Sequence, residues 1–322
     1  MRQERFTNDS LLKGILAGDK LMLSKAITLM ESSLPEDMRQ GMDLLNLVRT
    51  RETHSLRIGI TGPPGVGKSA FIESLGLFLL TEGMKVAVLS IDPSSPATGG
   101  SILGDKTRME KLSVSPGAYI RPSPSKLAKG VGHRTREAIY LCEAAGYDVV
   151  IVETVGVGQT ETEVKTMVDF FLLMLMPGSG DELQGIKRGS MEIADGIAVN
   201  KSDLMDESIL RKTLGDLETA LTMFHDQERI PVLPCSSLSG KGIREVWRAI
   251  STRVGNLRKS GDLENRRSQQ QLDYFKQLLE RKLLDHFFSD PDRKEAIRTA
   301  QDKILQGKVT VQEAVDHLLA PR

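Results

Sequence analysis

The sequence predicts an α/β fold: a mostly parallel central sheet flanked by helical arms at its N-terminal and C-terminal ends. Two observations predict the sheet. Short aliphatic and β-branched runs alternate with helical stretches between residues 56 and 255, and most of these runs are apolar throughout. Strands that are apolar on both faces suit a parallel sheet covered by helices. The third observation is at the ends, where strand-like runs are missing and apolar residues recur at helical spacing.

Residues 1–55 form the first arm. Leu34, Met38, Leu45 and Val48 recur at helical spacing, and Pro35 suits a first helical turn. The middle region, 56–255, contains LRIGIT (56–61), KVAVLSI (85–91), YDVVIVE (147–153), FFLLMLM (170–176), GIAVN (196–200) and IPVLP (230–234). The second arm, 256–322, carries a stripe of Leu272, Phe275, Leu279 and His286/Phe287. Thr310-Val-Gln-Glu313 has the form of a capping box for a last helix.

Composition narrows the function classes. The 322 residues include 43 basic and 43 acidic side chains, so the formal net charge is zero and no basic excess points to nucleic acid. Cys142 and Cys235 lie far apart, without a CxxC or Cys/His cluster, which argues against a disulfide scaffold or structural zinc. The first residues, MRQERFTNDS, lack the apolar core of a signal peptide, and no stretch reaches the ~18 apolar residues of a membrane span. The expectation is a soluble, cytoplasmic protein.

Gly62-Pro63-Pro64-Gly65-Val66-Gly67-Lys68-Ser69 fits G-x-x-x-x-G-K-[ST] between a strand-like run and a helical stretch that starts at Ala70. Glycines let backbone N–H groups converge on phosphate, and the following helix presents its positive end. Lys68 can reach the β- and γ-phosphates, and the Ser69 hydroxyl is placed for Mg²⁺. Acidic residues at strand ends are the other magnesium candidates. Asp92 ends KVAVLSID, and Glu153 ends YDVVIVE three residues before Gly156, whose N–H can sense a γ-phosphate. Asp105, in GGSILGDKTRM, is a further candidate.

Asn200-Lys201-Ser202-Asp203 follows GIAVN and fits N-K-x-D. Guanine offers two adjacent donors, N1–H and the 2-amino group, and the Asp203 carboxylate can accept both; adenine offers no such pair. The Lys201 stem would lie over the base and Asn200 would brace the loop. Ser236-Ser237-Leu238, after the last strand, resembles the S-A-x loop that completes such a pocket. Together the two motifs predict a P-loop NTPase that binds and hydrolyses GTP to GDP.

The segments SIDPSSPATGGSILGDKTRM (90–109), LCEAAGYDVVIVETVGVGQTETEV (141–164) and GSGDELQGIKRGSMEIAD (178–195) closely resemble the MeaB/ArgK/MMAA family. Its members are GTPase chaperones of adenosylcobalamin-dependent methylmalonyl-CoA mutase, with a fold of the signal-recognition/MinD-like class. The resemblance covers nearly the whole chain. It implies a homodimer that binds a B12-dependent acyl-CoA mutase, gates cofactor loading, and protects or reactivates the mutase. The family has a mobile loop, switch III, in which Asp181 and Lys187 fall. Lys187 is then a candidate for the cation that assists hydrolysis, and Lys68, Glu153, Gly156 and Asp181 are the other candidate catalytic residues.

Rival readings make different demands. A nickel or cobalt metallochaperone GTPase needs clustered His or Cys, whereas the five histidines are scattered. A P-loop kinase needs an acceptor and has no use for guanine selectivity. A protein-targeting GTPase needs a Met-rich peptide-binding domain, but the 13 methionines are spread along the chain.

Overall fold

The computed structural model of the chain describes residues 6–32, 34–49, 53–92, 109–124, 132–154, 160–177, 188–222 and 230–320. The chain divides into two compact units, 1–264 and 265–322.

In the first unit, helices α1 (Asn8–Leu16), α2 (Lys20–Glu31) and α3 (Pro35–Arg49) precede β1 (Leu56–Thr61). Then follow α4 (Lys68–Thr81), β2 (Val86–Asp92), α5 (Glu110–Ser113), β3 (Ala118–Pro124), α6 (Gly132–Ala144), β4 (Val149–Thr154), α7 (Thr160–Lys165) and β5 (Phe170–Leu175). The unit continues through α8 (Arg188–Ile193), β6 (Gly196–Val199), a 3-10 turn (Ser202–Leu204), α9 (Glu207–Thr222), β7 (Val232–Pro234) and α10 (Ile243–Ser260), into the start of α11 (Asp262–Ser289). Among the described residues the strands make one seven-stranded sheet in the order β3-β2-β4-β1-β5-β6-β7. All six neighbouring pairs are parallel, as the apolar runs predict.

Strand β3 has no counterpart among the expected runs. Its sequence, AYIRPSP, contains Pro122 and Pro124, which lack the N–H that a central strand must donate. It occupies a sheet edge beside β2 alone, where proline is tolerated.

Burial on both sheet faces explains the apolar runs: every residue of β4, β5 and β6 is buried. On one face Ile58, Ile60, Phe71, Ile72, Leu75, Val88 and Ile250 share a core, which packs α4 and α10 against the sheet. On the other, Val150, Val152 and Phe171 meet Ile139 and Cys142 of α6, and the same cluster takes in Leu11, Ile15, Leu23, Ile27, Leu44, Leu45 and Val48 of α1–α3. Leu45 and Val48 therefore belong to the core; Leu34 and Met38, on the same expected stripe, are exposed. A buried ion pair braces this side. Arg57 of β1 gives two hydrogen bonds to Glu143 of α6, 2.6 Å from Nε and 2.9 Å from Nη2.

The second unit contains most of α11, then α12 (Pro291–Leu305) and α13 (Val311–Leu319). Asp290 caps α12 by accepting from the Asp292 N–H. The capping box at Thr310 and Glu313 is formed in both directions, as its spacing predicts.

Candidate functional site

The site lies at the C-terminal ends of β1, β4 and β6, where open α/β sheets collect their ligands. β1 delivers the chain to Gly62, and α4 begins at Lys68, so Gly62 to Gly67 form the turn between strand and helix while Lys68 and Ser69 open the helix. Two glycines are dictated by contact. A Cβ at Gly62 would stand 2.4 Å from the Met174 carbonyl oxygen of β5, and one at Gly67 would stand 2.6 Å from Asn200 Nδ2. Gly67 also has φ +93°, a conformation that side chains rarely adopt.

Lys68 is buried, and its ammonium donates to the carbonyl oxygens of Gly62 (2.7 Å) and Pro63 (3.2 Å). The cation is thereby held over the loop. Val66 is buried, Pro64 and Gly65 are exposed, and Pro63, Ser69 and Ala70 are half-buried, so the loop has one anchored and one open side.

Glu153, buried in β4, accepts from the Ser69 hydroxyl (3.1 Å) and from the Ser90 hydroxyl of β2 (3.2 Å). Hydroxyl and carboxylate oxygens gathered at the mouth of a phosphate loop are hard donors, and they fit Mg²⁺. Ser90 is absent from the sequence-based candidates. Its signal was a hydroxyl inside an otherwise apolar strand, KVAVLSID. Asp92 ends β2 as expected, and only its backbone is described. Asp105, Gly156, Asp181 and Lys187 lie outside the described residues.

The Asn200–Asp203 segment is tied directly to the phosphate loop. Asn200 is buried; its Nδ2 donates to the Val66 carbonyl (2.8 Å), and its Oδ1 accepts from the Ser237 N–H (3.0 Å) and hydroxyl (2.8 Å). One amide therefore clamps three loops. Lys201 reaches the Gly65 carbonyl with Nζ (2.8 Å). It is the one non-glycine residue with positive φ among those described, at +60°. Such backbone strain persists where the surroundings over-determine it, and it collects at ligand sites. The 3-10 turn then presents Asp203 exposed to solvent, with Ser202 buried behind it. Ser236 is buried and closes its own turn: its hydroxyl accepts from the Ser239 N–H (3.2 Å), and its N–H donates to the Lys241 carbonyl. Leu238 projects into solvent. The structure thus brings together Gly62–Ala70, Glu153, Asn200, Lys201, Asp203 and the 236–238 turn.

Cys235 is buried beside Asn200, and burial pushes its thiol up to about 12; burial likewise drives Cys142 well above the ordinary thiol range. Both remain protonated near neutral pH, and thiols bind metals as thiolates. Among the described residues no three His, Cys, Asp or Glu side chains gather as a metal-holding group. No helix among them is long and apolar enough to cross a membrane.

Residues 23–292 match the sequence model of the family described as methylmalonyl Co-A mutase-associated GTPase MeaB. The chain is 45% identical over 285 residues to the GTPase ArgK of Escherichia coli, covering 87% of this chain and 86% of that protein. A protein of Mus musculus named methylmalonic aciduria type A homolog, mitochondrial, is 40% identical over 332 residues, covering 99% and 80%. A probable GTPase of Mycobacterium tuberculosis is 43% identical over 317 residues, covering 97% and 94%. Among solved structures, one described as an LAO/AO transport system kinase superposes with a TM-score of 0.78 at 36% identity, covering 99% of this chain and 98% of that one.

Proposed function

Because the chain belongs to the MeaB family of methylmalonyl-CoA mutase-associated GTPases, we propose that it is a chaperone of a B12-dependent acyl-CoA mutase. In this reading GTP binding and hydrolysis gate cofactor loading and protect or reactivate the mutase. The GTPase activity itself is the family's; the partner and the task are the proposal. The observation that carries the partner is the match of residues 23–292 to the mutase-associated family, and the joining of the phosphate loop to the base-reading loop supports the nucleotide that would drive the task. Asn200 and Lys201 donate to the carbonyls of Val66 and Gly65, so one rigid frame holds both ends of a guanine nucleotide.

The chemistry follows from charge. Phosphoryl transfer develops negative charge on the phosphate oxygens, and catalysis is mostly positioning and electrostatic stabilisation. Lys68 supplies a cation fixed by two carbonyls. Ser69 and Glu153, with Asp92 or Asp105, would hold Mg²⁺, which when bound neutralises charge on the β- and γ-phosphates. A further cation in such sites contributes ~10³–10⁵ in rate. Lys187 is our candidate for it, engaged when the mutase docks on the 178–190 segment.

Phosphate release from GTP, measured with and without a B12-dependent methylmalonyl-CoA mutase, tests the reading. The expected result is stimulation by the mutase, largely lost in Lys187→Ala while basal turnover stays near wild type. Equal stimulation of the variant overturns the role of Lys187. No stimulation and no binding by any such mutase overturns the partner.

The second unit supports a homodimer. Leu272, Phe275, Leu279 and Leu283 of α11 are 47–62% exposed and follow helical spacing. A contiguous apolar face of this kind marks an interaction surface more often than bare surface.

A further inference from the structure

A buried carboxylate stands beside the phosphate loop, hydrogen-bonded to the residue that precedes it. Glu161, in α7, is 8% exposed. Its Oε1 accepts from the Thr61 hydroxyl (3.1 Å), and its Oε2 accepts from the Ser190 hydroxyl of α8. Thr61 in turn accepts from the Thr154 hydroxyl at 2.8 Å. Thr61, Thr154 and Ser190 are all buried. Four side chains from β1, β4, α7 and α8 therefore form one chain of hydrogen bonds, with every proton pointing toward Glu161.

The positions in sequence give the network its meaning. Thr61 is the last residue before Gly62 of the phosphate loop, and Thr154 directly follows Glu153. Ser190 lies in α8, whose Met191 and the following Ala194 pack into the cluster of β5, β6 and α9. A second polar tie joins α7 to the segment that follows α8. Lys165, at the end of α7, meets Asp195 at 2.5 Å, and Asp195 also accepts from the Phe171 N–H of β5.

Burying a carboxylate is costly unless each oxygen is paired. Moving β1, α7 or α8 alone leaves Glu161 short of a donor, and moving β4 alone leaves the Thr154 hydroxyl without its acceptor on Thr61, so they shift together. We propose that Glu161 is a positioning residue that couples α8 to the phosphate site, so that gain or loss of the γ-phosphate changes the stability of α8. The inference rests on the GTP-site reading above and adds to it a named route between the two elements.

Hydrogen exchange of the full-length protein tests it, comparing the GDP-bound and non-hydrolysable-GTP-bound forms over residues 188–193. Coupling between sites is typically about 5- to 150-fold. Wild type is expected to show at least about a fivefold nucleotide-dependent difference in exchange there. Ser190→Ala, which removes one donor and leaves the phosphate loop intact, is expected to reduce that difference to within about twofold. Ser190→Thr keeps the hydroxyl and is expected to restore it. Glu161→Gln keeps the size, removes the charge that holds both donors, and is expected to behave as Ser190→Ala does. A purely structural role would lower protection equally in both nucleotide states and leave their ratio unchanged. That outcome, or a wild-type ratio near one, overturns the inference. Fluorescent GTP-analogue binding, run on the same samples, separates the two levels: tight binding with an unchanged exchange ratio defeats the coupling alone, whereas no GTP binding by wild type defeats the site reading as well.

Discussion

Lys68 and the two cysteines show how burial sets the chemistry of single residues. The Lys68 ammonium is desolvated but held by two carbonyls, so it remains available to a phosphate. A hydrogen bond to a charged group contributes about 1.5–3 kcal/mol. Lys68→Ala should therefore weaken GTP binding by roughly 10- to 150-fold, or abolish turnover, in a titration with a fluorescent GTP analogue. Cys142 and Cys235 carry the opposite consequence. Their folded-state thiols titrate far above neutral pH, so both should resist iodoacetamide at pH 8 in the native protein and react once it is unfolded. Rapid alkylation without loss of structure would contradict their burial. At this scale the sequence was informative wherever a motif is local. Gly62–Ser69 and Asn200–Asp203 announce themselves because a phosphate loop and a base-reading loop are each built from neighbouring residues. Glu161 could not be found in this way, because its partners, Thr61 and Ser190, come from other elements of the fold.

At the scale of elements, the contact between loops matters more than either loop. Gly67 sits where the phosphate loop passes Asn200, at φ +93°, and a Cβ there would stand only 2.6 Å from Asn200 Nδ2. Gly67→Ala should thus push the two loops apart, lowering thermal stability by at least about 1 kcal/mol and weakening GTP binding together. Calorimetry and nucleotide titration on the same variant check it; unchanged values in both would show that the loops are not interlocked. Five of the strands that the sequence revealed are central, and their continuous apolar runs reflect burial on both faces; the sixth, β7, announced by IPVLP, is an edge strand. Strand β3 stayed hidden because Pro122 and Pro124 interrupt its pattern, and it survives because, among the described residues, it pairs with β2 alone. Helicity in α1–α3 was legible from spacing. Where those helices pack was not, since Leu11, Ile15 and Leu23 find partners such as Cys142 more than a hundred residues away.

At the scale of the whole molecule, the chain carries a guanine-nucleotide unit and a helical unit with an apolar face. If that face forms a homodimer, Leu272→Asp with Phe275→Asp should yield monomers in light scattering of the full chain, with GTP binding retained. A dimer that persists would move the interface elsewhere. The claim on which everything else depends is that Asp203 reads guanine for the phosphate loop to which its segment is bound. The direct measurement is competition binding of GTP, XTP and ATP to wild type and Asp203→Asn. Xanthine carries a carbonyl where guanine has its 2-amino donor, so an amide at 203 can supply the donor that a carboxylate lacks. Wild type should prefer GTP over both rivals, and the variant should turn to XTP; a variant that still prefers GTP would contradict the account.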